Sequence, residues 1–244
     1  MIDDTASARS LAEAVNCTGG TFNVTWKGRV IIDRTIYVAE GTTIYLAGID
    51  AESEVDGGGS IRLLTLDNAS LHINDITLSN GDALFGGAIA AMESTITLNG
   101  QTAFYNNAAF YTGALYLDRS SLVTLSGHTT FSGNSASEYG GAMVAFKDSS
   151  VSLGGTSFFF NNTARRWGGA IYADDNSIIS WSGHTSFANN SAISNIAFGG
   201  ALYIKESSNV SWSVETLQTI EDVLGVLFPS KRAPVFPGQQ KHHS

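Results

Sequence analysis

The chain has 244 residues, of which 43% are hydrophobic and 14% charged, with a net charge of -9 and one cysteine, Cys17. This composition allows one large domain with a hydrophobic core, and the negative charge makes nucleic acid an unfavourable partner. One cysteine excludes an intrachain disulfide and a cysteine-rich metal cluster. No apolar run approaches the roughly 20 residues of a membrane span, and the N-terminus lacks the charged-then-apolar pattern of a signal peptide.

Asn-x-Ser/Thr sequons occur throughout the chain and make glycosylation a candidate modification. They lie at Asn16, Asn23, Asn68, Asn161, Asn189 and Asn209. If they are used, the protein is secreted by a eukaryote and its leader has been removed. The alternative is a Ser/Thr/Asn-rich surface with accidental matches. We favour secretion, with an extracellular or cell-surface location.

The first predicted element is a short helix over Thr5–Asn16, with Leu11, Ala12 and Val15 on one face. Exposed strand edges at the ends of a repeat array need covering, so this helix is interpreted as a cap. Residues 1–28 therefore form the predicted N-terminal cap and lead-in.

A double glycine followed by a small residue and an apolar residue then recurs along the chain. The copies begin at Gly58, Gly86, Gly140, Gly168 and Gly199, and Thr112-Gly113 fills the gap, giving steps of 28, 26, 28, 28 and 31 residues. A fixed period in this range indicates stacked units that cannot bury a core alone.

Each unit contains three short predicted strands and three turns. Apolar pieces such as "ALYL" follow the glycines, and alternating pieces such as Val151-Ser152-Leu153 come next, with the β-branched and large residues facing inward. A Phe-x-x-Asn motif completes the unit. No helical period interrupts it, so residues 29–218 are predicted to form an all-β, single-stranded, right-handed parallel β-helix of about seven coils, a single domain.

Stacking gives each repeated residue a structural role. Equivalent residues of adjacent coils form columns about 4.8 Å apart. The phenylalanines are predicted to stack in the core, and one corner is predicted to carry a hydrogen-bonded amide ladder. Its proposed members are Asn80, Asn107, Asn134, Asn162 and Asn190.

A second predicted helix, Thr219–Phe228, places Ile220, Val223 and Leu224 on one stripe, and Pro229 ends it. All three prolines lie at or after position 229. Residues 219–244 are therefore interpreted as a C-terminal capping helix followed by a disordered tail.

The alternation of "GGAI" with "FxxN" resembles the repeat of the polymorphic membrane proteins, surface-exposed β-helical passengers of bacterial autotransporters that act as adhesins. Similar repeats occur in secreted β-helix proteins of the pectin-lyase-like class in algae and other eukaryotes. The six sequons fit a eukaryotic secreted relative better than a bacterial autotransporter. The resemblance covers about residues 57–217. It implies the fold and a surface placement.

Some β-helix proteins are polysaccharide lyases, hydrolases or epimerases, so the sequence must be searched for residues that could act as a catalytic acid or base. Asp174, Asp175 and His184 faintly resemble the paired aspartates and Gly-His of polygalacturonases, but His184 follows Asp175 by nine residues, on the far side of a strand. His128 lies two coils from His184, too far to share a metal. We predict no catalytic residue, metal or cofactor. The acidic residues that recur in one turn of the coils are interspersed with Arg119, Lys147 and Lys205. They are therefore interpreted as a solvated turn, and a calcium site is the alternative.

Two sets of aromatic residues flank the glycine pairs. Those before the pair are Phe85, Tyr111, Tyr139, Trp167 and Phe198, and those after it are Tyr116, Tyr172 and Tyr203. If they face outward they form a flat platform for sugars or a protein partner; otherwise they stack and stabilise a corner. The segments before the glycine pairs vary most, and specificity is expected there. The candidate ligand-binding residues are Arg165, Arg166, Trp167, Tyr139, Tyr172 and Tyr203.

We therefore predict a non-catalytic, secreted or surface-displayed binding or adhesion module whose partner is a polysaccharide or a cell-surface protein. An acidic polysaccharide suits the arginines best. The alternative is a carbohydrate-active enzyme of the pectin-lyase-like class, and the third interpretation is an inert structural spacer.

Overall fold

A computed structural model describes residues 19–195, 197–205 and 207–212. In these residues the chain is all-β and forms a parallel β-solenoid of about seven turns, as predicted. The predicted capping helices and the proline-containing tail lie outside the described residues. The strands form four parallel sheets, numbered I to IV in the order in which a coil visits them, ending with the strand after the glycine pair.

Sheet I is formed by the strand that follows the glycine-pair strand and its polar turn. It contains β1 (Gly20–Trp26), β4 (Thr42–Gly48), β7 (Ser70–Asn74), β11 (Thr95–Asn99), β15 (Leu122–Leu125), β19 (Ser150–Leu153), β23 (Ile178–Trp181) and β27 (Asn209–Trp212). Sheet II carries the Phe-x-x-Asn motif. It contains β2 (Arg29–Ile31), β5 (Glu54–Asp56), β8 (Thr77–Ser79), β12 (Gln101–Tyr105), β16 (His128–Ser132), β20 (Thr156–Phe160) and β24 (His184–Ala188).

Sheet III consists of two-residue strands that the sequence analysis did not predict, so a coil has four strands where three were expected. Its members are β9 (Asp82–Ala83), β13 (Ala108–Ala109), β17 (Ser135–Ala136), β21 (Thr163–Ala164) and β25 (Ser191–Ala192). Sheet IV is formed by the strands after the glycine pairs and their equivalents. It contains β3 (Ile36–Val38), β6 (Leu64–Asp67), β10 (Ile89–Met92), β14 (Leu115–Asp118), β18 (Met143–Ala145), β22 (Ile171–Ala173) and β26 (Leu202–Ile204).

The core is a set of stacked columns, as the repeat predicts. Phe104, Phe131 and Phe159 are fully buried, and consecutive ring centroids lie 4.6 and 4.9 Å apart with nearly parallel planes. The inward residues of sheet I, such as Val151 and Leu153, are buried, while Ser152 between them is half-buried. The period-2 alternation therefore separates core from surface in the way that strands dictate.

The amide ladder is present at the corner between sheets II and III. Asn107 Nδ2 donates to Asn134 Oδ1 at 3.0 Å, and the Asn134–Asn162 and Asn162–Asn190 bonds are each 2.9 Å. Each acceptor oxygen also receives the backbone N–H of the asparagine one coil before it. Buried amides are thereby paired on both their donor and acceptor sides, which removes the cost of burying them.

The assignment of Asn80 to this ladder was wrong by one position. Gly81 occupies the ladder position, and its N–H donates to Asn107 Oδ1 at 2.9 Å. Asn80 instead has a left-handed backbone (φ 50°) and its side chain donates to Asp56. Asparagine suits both the left-handed corner and the ladder, so the motif alone does not separate the two adjacent positions.

The two glycines of a pair serve different purposes. Gly140 has a φ of +50°, a left-handed conformation that glycine adopts readily. Gly141 has no such constraint, but a Cβ added there would lie 2.3 Å from the carbonyl oxygen of Gly169 in the next coil. The first glycine turns the chain, and the second lets adjacent coils approach.

Candidate binding surface

The aromatic residues around the glycine pairs form two parallel columns. The outer column is Phe85, Tyr111, Tyr139, Trp167 and Phe198, and the inner column is Tyr116, Val144, Tyr172 and Tyr203. Together these residues are called the aromatic flank. Isolated parallel bridges link Tyr139 to Trp167 and Trp167 to Phe198, so the outer column continues the register of the sheets.

The inner column is buried at Val144, Tyr172 and Tyr203 and half-buried at Tyr116. Tyr172 is 1% exposed and Tyr203 8%, and their rings stack at 5.8 Å with planes 3° apart. Val144 takes the column position before Tyr172, and the Tyr139 ring fills the space there, 5.1 Å from Tyr172. The flank is therefore a small second core on the outside of the solenoid.

Two pairs of rings in the outer column cover each other's faces, whereas Tyr111 and Tyr139 are tilted by 39° at 6.3 Å. Phe85 and Tyr111 stack at 4.5 Å, and Tyr139 and Trp167 at 5.0 Å, with interplanar angles of 9° and 12°. Such a stack presents ring edges outward. Of the two interpretations made from the sequence, stacking that stabilises a corner fits this geometry better than a flat platform of ring faces.

The two candidate arginines have different environments. Arg166 forms a 2.8 Å ion pair with Glu138, one coil earlier, whose side chain is 13% exposed. Arg165 is exposed, and no ion pair involves it in the described part of the chain. Of these two arginines, only Arg165 presents an uncompensated charge.

Arg165 belongs to a column that sequence analysis missed, called the sheet III strip. Its members follow the paired residues of sheet III and are all exposed: Leu84, Phe110, Ser137, Arg165 and Ile193. Leu84 is 56% exposed, Phe110 45% and Ile193 65%. The sequence does contain a signal for this strip: an alanine ends each short strand, a variable residue follows it, and this pair recurs with the period of the repeat. Arg165, Ser137 and Ile193 also line a shallow groove on this side.

The residues after sheet IV are paired electrostatically. The buried carboxylate of Asp174 accepts a 2.6 Å hydrogen bond from Tyr172 Oη and a 2.8 Å bond from Lys205 Nζ. Burial, followed by the bond to Asp174, raises the pKa of the Tyr172 hydroxyl, and the same carboxylate raises the pKa of Lys205. Asp118 is similarly flanked by Lys147 at 3.4 Å and Arg119 at 3.8 Å.

These pairings match the neutralised acidic turn inferred from the sequence. In the ranges described, no group of three or more histidine, cysteine or acidic side chains is placed to hold a metal ion. Glu206, an acidic residue at the corresponding turn of the next coil, lies outside the described residues.

The polygalacturonase-like constellation is not assembled. Asp174 and Asp175 follow strand β22 of sheet IV, whereas His184 begins β24 of sheet II, with β23 between them. His128 and His184 are exposed and share their column with Gln101 and Thr156. This is the solvent-facing column predicted for both histidines.

The sequon asparagines that the structure describes are all exposed: Asn23, Asn68, Asn161, Asn189 and Asn209. Asn161 and Asn189 have left-handed backbones, with φ of 53° and 55°, and each precedes an inward ladder asparagine. Their predicted exposure is confirmed, and glycan attachment there stays a prediction. Asn16 lies outside the described residues.

The fold and its columns define a parallel β-solenoid of stacked repeats. The Chlamydia polymorphic membrane protein repeat family matches the chain at residues 128–142 and 156–174, so the chain carries repeats of this type, as the resemblance implied. Each match begins at a strand of sheet II, crosses sheet III and includes the glycine pair, and the second includes Arg165–Trp167. Searches of curated proteins and of solved structures gave no match. Among the described residues there is no helix with the length and apolar character needed to span a bilayer.

Proposed function

We propose that the protein is a surface-displayed, non-catalytic adhesion module that binds a partner protein through the sheet III strip and the adjoining edge of the aromatic flank. The repeat family and the β-solenoid fold fit a surface-displayed β-helix module. A rigid scaffold with variable residues at one corner suits binding, because scaffold columns constrain the core while the corner residues vary freely.

The observation that carries the proposal is the composition of the strip. Three large apolar side chains, Leu84, Phe110 and Ile193, are each about half exposed or more, and Arg165 stands in the same column. Phe198, at the edge of the flank, is 46% exposed. Arginine is among the residue types that dominate protein–protein binding energy, and exposed apolar side chains in the same column add area that an interface can bury.

A protein partner fits this surface better than the acidic polysaccharide expected from the sequence. Sugar binding by aromatic residues uses ring faces, and in the stacked pairs Phe85–Tyr111 and Tyr139–Trp167 one face of each ring is occupied by its neighbour. The charge of Arg166 is taken by Glu138, and a net charge of -9 repels polyanions. One uncompensated arginine among apolar residues suits a partner with a local acidic group and an apolar surround.

The test is adhesion of beads coated with the protein to cultured epithelial cells. We expect adhesion to fall about tenfold with Ile193→Ser or Arg165→Ala, as the loss of interface anchors requires. The matched controls, Ile178→Ser and Lys147→Ala, alter exposed residues on other faces and should leave adhesion unchanged.

Treatment of the cells separates the rival functions. Loss of adhesion after mild trypsin treatment supports a protein partner. Loss of adhesion only after digestion of acidic polysaccharides would show that the ligand is a glycan and not a protein. Cleavage of a polysaccharide during the incubation would favour the enzyme, and no adhesion by the unaltered, folded protein would favour the spacer.

A further inference from the structure

A groove lies on the outer side of sheet II, away from the sheet III strip. It encloses about 580 Å³ and opens to solvent. Its lining includes Asp50, Asp75, Gln101, Tyr105, His128 and Thr130. The repeat pattern gave no sign of it, because one of its walls comes from a turn found in a single coil.

That wall is the turn from Ile49 to Ser53, which is held rigidly. Asp50 Oδ1 accepts hydrogen bonds from Ser53 Oγ at 2.8 Å and from the backbone N–H groups of Glu52 and Gly28 at 3.2 and 3.3 Å. Gly48, just before the turn, packs so closely on the next coil that an added Cβ would lie 2.0 Å from the carbonyl oxygen of Asp75. The wall is thus built before any ligand arrives.

The floor is a column of small outward side chains on adjacent strands of sheet II. Thr77, Ala103 and Thr130 pair in register, and the next residue in the column is Phe158. A bulky ring after three small residues closes that end of the depression. From β5 to β16 the groove crosses three coil spacings, about 14 Å at about 4.8 Å per coil.

The lining groups suit hydroxyl-bearing ligands. Asp75 Oδ1 already accepts the N–H of Gln101 at 2.7 Å, and Asn74 Nδ2 donates to its other oxygen. These bonds fix the carboxylate at the groove, which Gln101 and His128 also line. Carboxylates accept from hydroxyls, and amides and imidazoles both donate and accept. Two carboxylates on the lining disfavour an anionic ligand.

Tyr105 supplies a different kind of contact on the same lining. Its ring is 39% exposed and, among the described residues, stacks on no other aromatic ring. In this respect it differs from Tyr45 on sheet I, which is 44% exposed but lies 4.4 Å from the His72 ring with planes 8° apart. An unstacked tyrosine beside polar groups offers both ring surface and a hydroxyl to a ligand.

We propose that this groove binds a short neutral oligosaccharide, with Tyr105 contacting a sugar ring and Asp75 accepting from its hydroxyls. Concave sites with an aromatic surface and a few convergent polar groups are where proteins bind such ligands. The site is separate from the adhesion surface, so either proposal can fail without the other.

The test is isothermal titration of the full chain with cellotetraose, laminaritetraose, maltotetraose and mannotetraose, and with tetragalacturonate as the charged comparison. We expect at least one neutral tetramer to bind and tetragalacturonate to bind more weakly. Tyr105→Ala should weaken binding about tenfold, the range for an aromatic contact. Asp75→Asn, which keeps an acceptor and tolerates the left-handed backbone at this position, should weaken it several-fold.

Two control variants locate the site. Tyr45→Ala removes an equally exposed tyrosine on sheet I, and Arg165→Ala alters the adhesion surface; both should leave sugar affinity unchanged. The proposal is overturned if no neutral tetramer binds, if tetragalacturonate binds more tightly than all of them, or if folded Tyr105→Ala keeps full affinity.

Discussion

The side-chain amide of Asn134 donates to Oδ1 of Asn162 at 2.9 Å and accepts from Nδ2 of Asn107 at 3.0 Å, inside a corner closed to solvent. It also donates to the carbonyl of Phe104 at 3.0 Å. One side chain therefore satisfies polar groups in the two coils on either side of its own. Loss of that side chain leaves several buried groups without partners.

Asn134→Ala should consequently lower the free energy of unfolding by about 3 kcal/mol, the upper part of the range for an unsatisfied buried group. Chemical denaturation followed by circular dichroism measures this. His128→Ala, at an exposed position of the same coil, should stay within about 0.5 kcal/mol of the parent. A larger loss from His128→Ala than from Asn134→Ala would contradict the assignment of inside and outside.

The glycine pairs make a second prediction. Gly141→Ala places a Cβ 2.3 Å from the carbonyl oxygen of Gly169, and neither backbone can retreat without moving a coil, so we expect a loss of about 2–3 kcal/mol. Gly154→Ala is the matched control, because its Cβ would meet nothing closer than 3.6 Å. Equal melting temperatures for the two variants would show that coil spacing does not depend on the pair.

The aromatic flank predicts a loss of stability at alkaline pH. Burial, and then the charge of Asp118, raises the pKa of Tyr116 to about 12, against about 10 in an unfolded chain. Above about pH 10 the unfolded state loses a proton that the folded state keeps, so the free energy of unfolding falls as the pH rises from about 10 to about 12. The raised pKa of Tyr172 adds to this fall.

Urea midpoints measured from pH 8 to 12 test the effect. Tyr116→Phe should flatten the fall, because the group that ionises in the unfolded state is gone. Tyr45→Phe, at an exposed ring of sheet I, serves as the control and should keep the full slope. An identical slope for Tyr116→Phe and the parent would rule out this contribution.

Exposure at the corner between sheets II and III predicts glycan occupancy. When the chain is expressed in a eukaryotic secretory host, Asn161 and Asn189 should each carry one glycan, detected as a mass shift removed by peptide N-glycosidase. Thr163→Ala and Ser191→Ala should each remove one glycan while leaving the left-handed asparagine in place. Occupancy that survives these substitutions would place the glycans at other sequons.

The repeat itself explains how much of this molecule was predictable. Columns that recur with unchanged chemistry, such as Phe104, Phe131 and Phe159, follow from the period alone. The ion pair of Arg166 with Glu138 could also have been predicted from the sequence, since the two residues are one 28-residue step apart.

The features that were missed have physical reasons. The strands of sheet III are two residues long, too short to show a period. The orientation of the aromatic rings in the flank is set by contacts with the neighbouring coils. The sequence shows only that aromatic residues lie on both sides of the glycine pair, and not whether their ring faces or their ring edges point to solvent. The groove depends on the single turn at Ile49–Ser53, which no repeat shares.

The uniform register of the later coils has a consequence for how such a chain can change in length. Strands β16, β20 and β24 pair residue for residue at a spacing of 28. Duplication or deletion of one whole 28-residue segment there would carry every column through intact, whereas a change that did not keep one strand of each sheet per coil would break the amide ladder and the glycine contacts together. The length of the solenoid can therefore grow or shrink in increments of about 4.8 Å, by copying one stretch of gene and without inventing a new core.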